Sequence, residues 1–380
     1  MPASRRAFLQ SAAWSGVALA QNGTSGASAL PPEHRVNLVG DGVMLSPPEY
    51  ARLLTRIIEE HGLPADTYLE GGVVEQLEQQ FASALGKERA LFLPTGTLAN
   101  HLAVRELAGD KRRAIVQQES HLYCDEGDCA QLLSGLNLVA LAPGRATFKL
   151  EEVREVVERS GGPPFPVPVG AISIESPVRR ATGEVFDFEE MKKICAYARE
   201  KQIGLHLDGA RMYLASAYTG VTPAQYSALF DTVYVSMYKY FNAPFGAILA
   251  GPAAMLKRIG TLRHAFGSMV YRGWESVAIA LHYSNGFSER YQAAVRNGEQ
   301  LTRLLEAQGK LQIERVPHGS NIVRVKLSGG AADVLQQRLA QVDIGIRVPK
   351  DSQQFNIQIN ETINRRPPEE IARQFARALA

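Results

Sequence analysis

Two apolar runs in the middle of this 380-residue chain each end in a residue out of place in a core. Residues 203–207 (Ile-Gly-Leu-His-Leu) read as a short buried strand with Asp208 at its carboxyl end. Residues 232–237 (Thr-Val-Tyr-Val-Ser-Met) read as a second strand, with Lys239 just past it. Buried strands of an open α/β sheet are near-continuous apolar runs, and ligands gather outside their carboxyl ends. An acid and an amine at two such ends describe one site. Pyridoxal phosphate chemistry uses this pair. An amine captures the cofactor aldehyde as a Schiff base, and a carboxylate keeps the pyridine nitrogen protonated so that the ring accepts electrons. Each residue also has an ordinary reading, Asp208 as a helix cap and Lys239 as a solvated charge. Against the second stand the neighbours Tyr238, Tyr240 and Phe241 and the run Asn-Ala-Pro-Phe-Gly (242–246), which has no helical period.

Other candidates surround this pair. After an apolar run at 90–93, Pro-Thr-Gly-Thr-Leu-Ala-Asn (94–100) turns into a helix. Small residues with unpaired N–H groups at a helix start make an anion cradle, which assigns a cofactor phosphate to Gly96 and Thr97. The plain alternative is a helix cap by Thr95 or Thr97. The strand 114–117 leads to Glu-Ser-His-Leu-Tyr-Cys-Asp-Glu-Gly (119–127). There His121 is placed to stack on a planar ring, and Glu126 to act as acid or base or to hold a water. A lone histidine after a strand is more often a satisfied structural residue. Ser236-Met237-Tyr238-Lys239 also fits Ser-x-x-Lys, the acylation motif of penicillin-binding enzymes, but Ser-x-Asn and Lys-Thr-Gly elements are missing and the motif follows a strand.

The elements that must position these groups alternate. Strands at 90–93, 114–117, 167–175, 203–207 and 232–237 are separated by helical stripes, including 188–201. This predicts a mainly parallel sheet. Helical patterns precede it at 48–60 and 73–85 and follow it at 253–263, 273–294 and 297–308. Alternating segments at 322–327 and 355–360 with helices at 331–340 and 368–379 then describe a small α+β unit. The division expected is a leader over 1–30, a large domain over 31–285 and a small C-terminal domain over 286–380. Lys plus Arg number 41 and Asp plus Glu 39, so the balance offers nothing to nucleic acid or a membrane surface. No apolar run is long enough for a membrane span. Three cysteines (Cys124, Cys129, Cys195) without Cys-x-x-Cys or a His cluster give neither a disulfide framework nor a metal site.

The N-terminus reads as an address. Ser-Arg-Arg-Ala-Phe-Leu-Gln (4–10), a mildly apolar stretch to residue 20 and Ala18-Leu19-Ala20 look like a twin-arginine export signal with a cleavage site. That route carries folded, cofactor-loaded proteins, so a periplasmic or exported location is expected, with the cytoplasm as the alternative.

Taken together and in order, the segments 86–100, 119–123, His-Leu-Asp-Gly-Ala-Arg (206–211) and Lys239 with 243–251 resemble the threonine aldolase and β-eliminating lyase family. The resemblance runs from about residue 36 to the C-terminus. It implies a fold-type I, aspartate aminotransferase-like α/β architecture with pyridoxal phosphate on Lys239 and Asp208. It further implies phosphate contacts at Gly96 and Thr97, ring stacking by His121, and Arg211 near the cofactor or the substrate carboxylate. A small-molecule substrate, an amino acid, and a homodimer or homotetramer with sites at the subunit interface are also implied. The chain departs from the family mostly where substrate is held. It reads Asn-Leu-Val-Gly-Asp-Gly at 37–42 where an arginine and a serine are usual, Tyr-Lys-Tyr around Lys239, Glu-Ser-Pro-Val at 175–178 and Asn-Ile-Gln-Ile at 356–359. The expectation is a retained cofactor grip and an altered substrate, with tyrosines near Lys239 suiting a bulky or aromatic β-substituent. The reaction expected is aldol cleavage of a β-hydroxy-α-amino acid to glycine and an aldehyde, with His121 or a water on Glu126 as base. β-Elimination with Lys239 as the base, or cofactor binding without catalysis, remain as alternatives.

Overall fold

The computed structural model describes residues 34–329 and 332–380. The expected leader lies outside these residues. Seven strands form the central sheet: β2 (Arg89–Leu93), β3 (Arg113–Gln117), β4 (Asn137–Leu141), β5 (Val169–Glu175), β6 (Gly204–Asp208), β7 (Thr232–Ser236) and β8 (Ala247–Gly251). Five further strands lie outside it: β1 (Val36–Asn37) near the N-terminus, and β9 (Leu311–Arg315), β10 (Ile322–Leu327), β11 (Ile344–Gly345) and β12 (Gln354–Gln358) in the C-terminal part. The sheet order is β2-β8-β7-β6-β5-β3-β4. From β7 to β4 every pairing is parallel, whereas β8 runs antiparallel to both β7 and β2. The mainly parallel sheet expected from the alternation is therefore present.

Both sheet faces are covered, which is why its strands read as unbroken apolar runs. Phe92, Ile115, Ile172, Leu205, Val233 and Ile248 pack into one cluster. Their neighbours Leu91 and Leu93 pack into a second, and Ala114, Val116 and Ala171 into a third, on the side of the helix Gly96–Ala108. Successive strand residues point to opposite faces, so this partition follows from the pleat.

Some elements differ from the sequence pattern. The two helices expected at 273–294 and 297–308 are Trp274–Ser284 and Phe287–Ala307, because the break falls at Asn285-Gly286. Strands β4, β8 and β9 were not separated from their surroundings by pattern alone. Antiparallel β12-β10-β9 form a second sheet, each strand buried on one side and exposed on the other. The N-terminal segment joins this C-terminal part. β1 pairs in parallel with β11, and Asn360 Nδ2 donates to the carbonyls of Asn37 and Gly40 at 2.8 and 3.0 Å.

Candidate active site

The carboxyl ends of the parallel strands carry the site. In register, Glu175 of β5 lies beside Asp208 of β6, which lies beside Tyr234 of β7. Lys239 follows β7 in the connection to β8. Antiparallel return of the chain keeps that connection at the same end of the sheet. A cavity of about 560 Å³ opens there, lined among others by Lys239, Asp208, His121, Arg211, Glu175 and Tyr238. Two other cavities, about 750 and about 840 Å³, lie away from Lys239.

Asp208 is buried and its carboxylate is fixed by two groups. Its Oδ1 accepts from the Ala210 N–H at 3.1 Å, and its Oδ2 from Asn100 Nδ2 at 2.8 Å. The same Asn100 amide donates to Glu126 Oε1 at 2.9 Å, and its Oδ1 accepts from His206 Nε2 at 3.0 Å. Because that oxygen can only accept, His206 carries its proton on Nε2, and Nδ1 is free to accept from the Thr232 hydroxyl at 2.9 Å. Full burial pushes the His206 pKa down to about 4, so the ring is neutral and its tautomer locked. Asn100 was read only as part of a helix start. Its bridging role depends on strand pairing that spacing does not display.

Lys239 Nζ sits 5.1 Å from the Tyr238 ring centre and 5.9 Å from that of Tyr234. Burial, then the nearby Arg211 charge, lower its pKa to about 8, against the pull of Asp208, Asp41 and Glu175. An amine so placed is neutral in useful amount near physiological pH. Burial and then Asp208 raise the Glu175 pKa to about 7, although the carboxylate accepts from the His121 N–H at 2.6 Å and the Arg179 N–H at 3.0 Å.

His121 lines the cavity, half-buried, its backbone held by Glu175 and its Nδ1 3.2 Å from Asp125 Oδ2. Arg180 forks onto Asp125 at 2.6 and 3.1 Å and holds that carboxyl below the usual range. Glu126 is placed differently from expectation. It is buried behind Asp208, bonded to Asn100, and is not among the cavity-lining residues. Burial raises its pKa well above the usual carboxylate value. It reaches the site through Asn100 and does not face a substrate.

Gly96 opens the helix Gly96–Ala108, and Thr95 caps it by accepting from the Leu98 N–H at 3.2 Å. The cap leaves the Gly96 and Thr97 N–H groups, which have no intrahelical acceptor. A Cβ on Gly96 would stand 2.2 Å from Tyr234 Oη, so the position admits only glycine. Tyr234 thus links the helix start to Lys239, its ring lying under the amine. The residues fit pyridoxal phosphate: an amine of lowered pKa, a positioned carboxylate and a glycine cradle, in adjacent strand ends.

Arg211 lies in the cavity wall, its Nε donating to Asp41 Oδ2 at 2.8 Å. Asp41 Oδ1 accepts from Asn321 Nδ2 at 3.2 Å. Asp41 comes from the N-terminal segment, which closes over the cavity. Gly40 N–H donates to Gln358, and Val43 N–H to Asn242 Oδ1 at 2.7 Å. This approach requires Gly42, where a Cβ would meet Asn242 Oδ1 at 2.3 Å and the Lys239 carbonyl at 2.5 Å. The aromatic lining expected from the neighbours of Lys239 is a correction. Tyr240 and Phe241 are buried in a cluster with Tyr213 and Phe287, with ring centres 4.6 to 6.3 Å apart; of the aromatic neighbours of Lys239, Tyr238 lines the cavity, joined there by Tyr50 from the N-terminal part. Ser236 is fully buried at the end of β7, and all three cysteines are free.

Comparison with known proteins places this arrangement. A low specificity L-threonine aldolase of Saccharomyces cerevisiae is 28% identical over 261 residues, 68% of this chain and 66% of that protein. The chain thus aligns with about two thirds of the length of that curated relative. A crystal structure from Listeria monocytogenes EGD-E, of a protein described as an L-allo-threonine aldolase, superposes with a TM-score of 0.74 at 26% identity, covering 91% of this chain and 96% of that one. One from Exiguobacterium sp. 255-15, described as an aromatic amino acid beta-eliminating lyase/threonine aldolase, reaches 0.76 at 26% identity, covering 91% and 97%. The family model of beta-eliminating lyases matches residues 62–328, and the chain belongs to that family.

Proposed function

We propose that this chain is a pyridoxal phosphate-dependent carbon–carbon lyase that cleaves a β-hydroxy-α-amino acid to glycine and an aldehyde. The carrying observation is that Lys239, Asp208 and His121 line one cavity, with Asp208 fixed by Asn100 and Ala210. The aldolase names of the yeast and Listeria relatives support the same reading.

When bound, pyridoxal phosphate supplies an electron sink through its protonated pyridine ring. Asp208 would hold the proton at the ring nitrogen. Gly96 and Thr97 would hold the phosphate. Lys239 would anchor the aldehyde carbon and yield its place to the substrate amine. His121, oriented by Asp125 and by its own backbone bond to Glu175, would stack on the ring and take the β-hydroxyl proton through Nε2. β-Elimination is the second reading. It is favoured by the lowered pKa of Lys239, which suits the amine to removing an α-proton.

The homo-oligomer and the export of the loaded protein through residues 4–20 belong to the same proposal. The test is direct. Purified protein should show a visible absorption band that borohydride removes and that Lys239→Ala lacks. β-Hydroxy amino acids should release aldehyde. Ammonia and a keto acid would instead establish elimination, and a band with neither product would leave a binder without catalysis. A colourless protein that takes up no cofactor overturns the proposal.

A further inference from the structure

The cavity holds more arginine than the cofactor uses. Arg179, Arg211 and Arg347 all line it. Arg211 is engaged by Asp41, whose second oxygen is held by Asn321. Among the described residues, the side chains of Arg179 and Arg347 have neither a hydrogen bond nor an ion pair. Both are exposed at the cavity mouth. The backbone fixes Arg347, which bridges antiparallel to Asn356 of β12, while the adjacent Val348 N–H donates to Gln336 Oε1 at 2.7 Å. Arg347 also lines the cavity of about 840 Å³ along the open side of the β12-β10-β9 sheet, so it stands where the two spaces meet. Nothing of opposite charge in either lining is bonded to it.

We propose that Arg347 is the anchor for a substrate carboxylate in this site, with Arg179 as the second cation at the mouth. The inference rests on the proposed function for the identity of the substrate. It follows from charge. A guanidinium offers a planar fork of donors matched to a carboxylate, and a fork with no internal partner keeps that capacity for a ligand. Arg211 has already given Nε to an internal carboxylate, so the unengaged fork is the stronger receptor. The carboxylate could be the α-carboxylate, or a second one on a β-substituent entering from the sheet side.

Equilibrium titration and turnover on the cofactor-loaded protein separate the cases. Arg347→Gln should weaken glycine binding, read from the change in cofactor absorbance, by about tenfold or more. The same variant should raise KM for threonine by a similar factor, leave kcat within about twofold, and bind glycinamide as the wild type does. Arg347→Lys should recover part of the loss, since charge returns without the fork. If the loss is confined to β-hydroxyaspartate, the second carboxylate is the one held. An Arg347→Gln protein that binds glycine and processes both substrates like the wild type overturns the proposal. A wild type that binds glycine yet releases no aldehyde would sink the aldolase reading and leave the binding test of Arg347 intact.

Discussion

Asn100 has the heaviest structural duty of any residue in the site. One buried amide serves the carboxylates of Asp208 and Glu126 and the ring of His206. Asn100→Ala would leave three buried polar groups short of a partner. A loss of about 1–3 kcal/mol is expected in chemical denaturation, with weaker cofactor uptake in absorbance titration, because the Asp208 carboxylate loses one of its two fixing bonds. Lys239 makes a second residue-scale prediction. Its lowered pKa means that the neutral, reactive amine grows as pH rises through about 8. The rate of cofactor loading by the empty protein, followed by stopped-flow absorbance, should rise over the same range and level off above it. Asp208, Lys239 and His121 were legible because each follows an apolar run in company unusual for a surface. Asp41, Arg179 and Arg347 were not. They lie in irregular segments, and only the folded chain brings positions 41 and 347 to one wall.

At the scale of elements, the helix Gly72–Leu85 carries a titrating contact far from the chemistry. Glu78 Oε1 accepts from the Phe92 N–H of β2 at 2.8 Å, and burial raises its pKa to about 7. The folded state therefore binds this proton more tightly than the unfolded chain. The contribution is fully present below about pH 4.5 and is lost as pH rises through about 7. Over that window Glu78 alone should lower stability by on the order of 1.4 kcal/mol per pH unit. Glu78→Gln keeps an acceptor and removes the titration, so thermal unfolding should place the variant above wild type at pH 8 and level with it at pH 5. The parallel strands were readable because two covered faces demand continuous apolar sequence. The direction of β8 was not. Ala-Ile-Leu-Ala-Gly reads the same forwards or backwards in a sheet, and only the short connection through Lys239 forces it antiparallel. The helix break at Gly286 was misplaced because apolar residues recur on both sides of it without a gap.

For the whole molecule, two large aromatic side chains pair on the surface. Tyr68 and Tyr271 are each about half exposed, at 51% and 56%, and meet edge to face with ring centres 5.2 Å apart. Large exposed side chains grouped in this way mark contact surfaces. Light scattering should give two or four times the chain mass. Replacing Tyr68 and Tyr271 together by serine should lower that mass or the temperature at which the assembly unfolds.

The pairing of β1 with β11 has a consequence for how the protein is made. The wall of the cavity is built from the first described residues and from strands near the last, held by Val36 against Ile344 and by Gly40 against Gln358. A growing polypeptide can complete the parallel sheet, with Asp208 and Lys239 in place, while the C-terminal strands are still inside the ribosome. It cannot complete the wall. Contacts between the two ends of a chain form late, after the loop between them has been ordered. The nascent chain therefore exposes an open, solvent-filled site, and the enclosed cavity exists only once the segments around Ile344 and Gln358 have been made and have docked on the N-terminal segment.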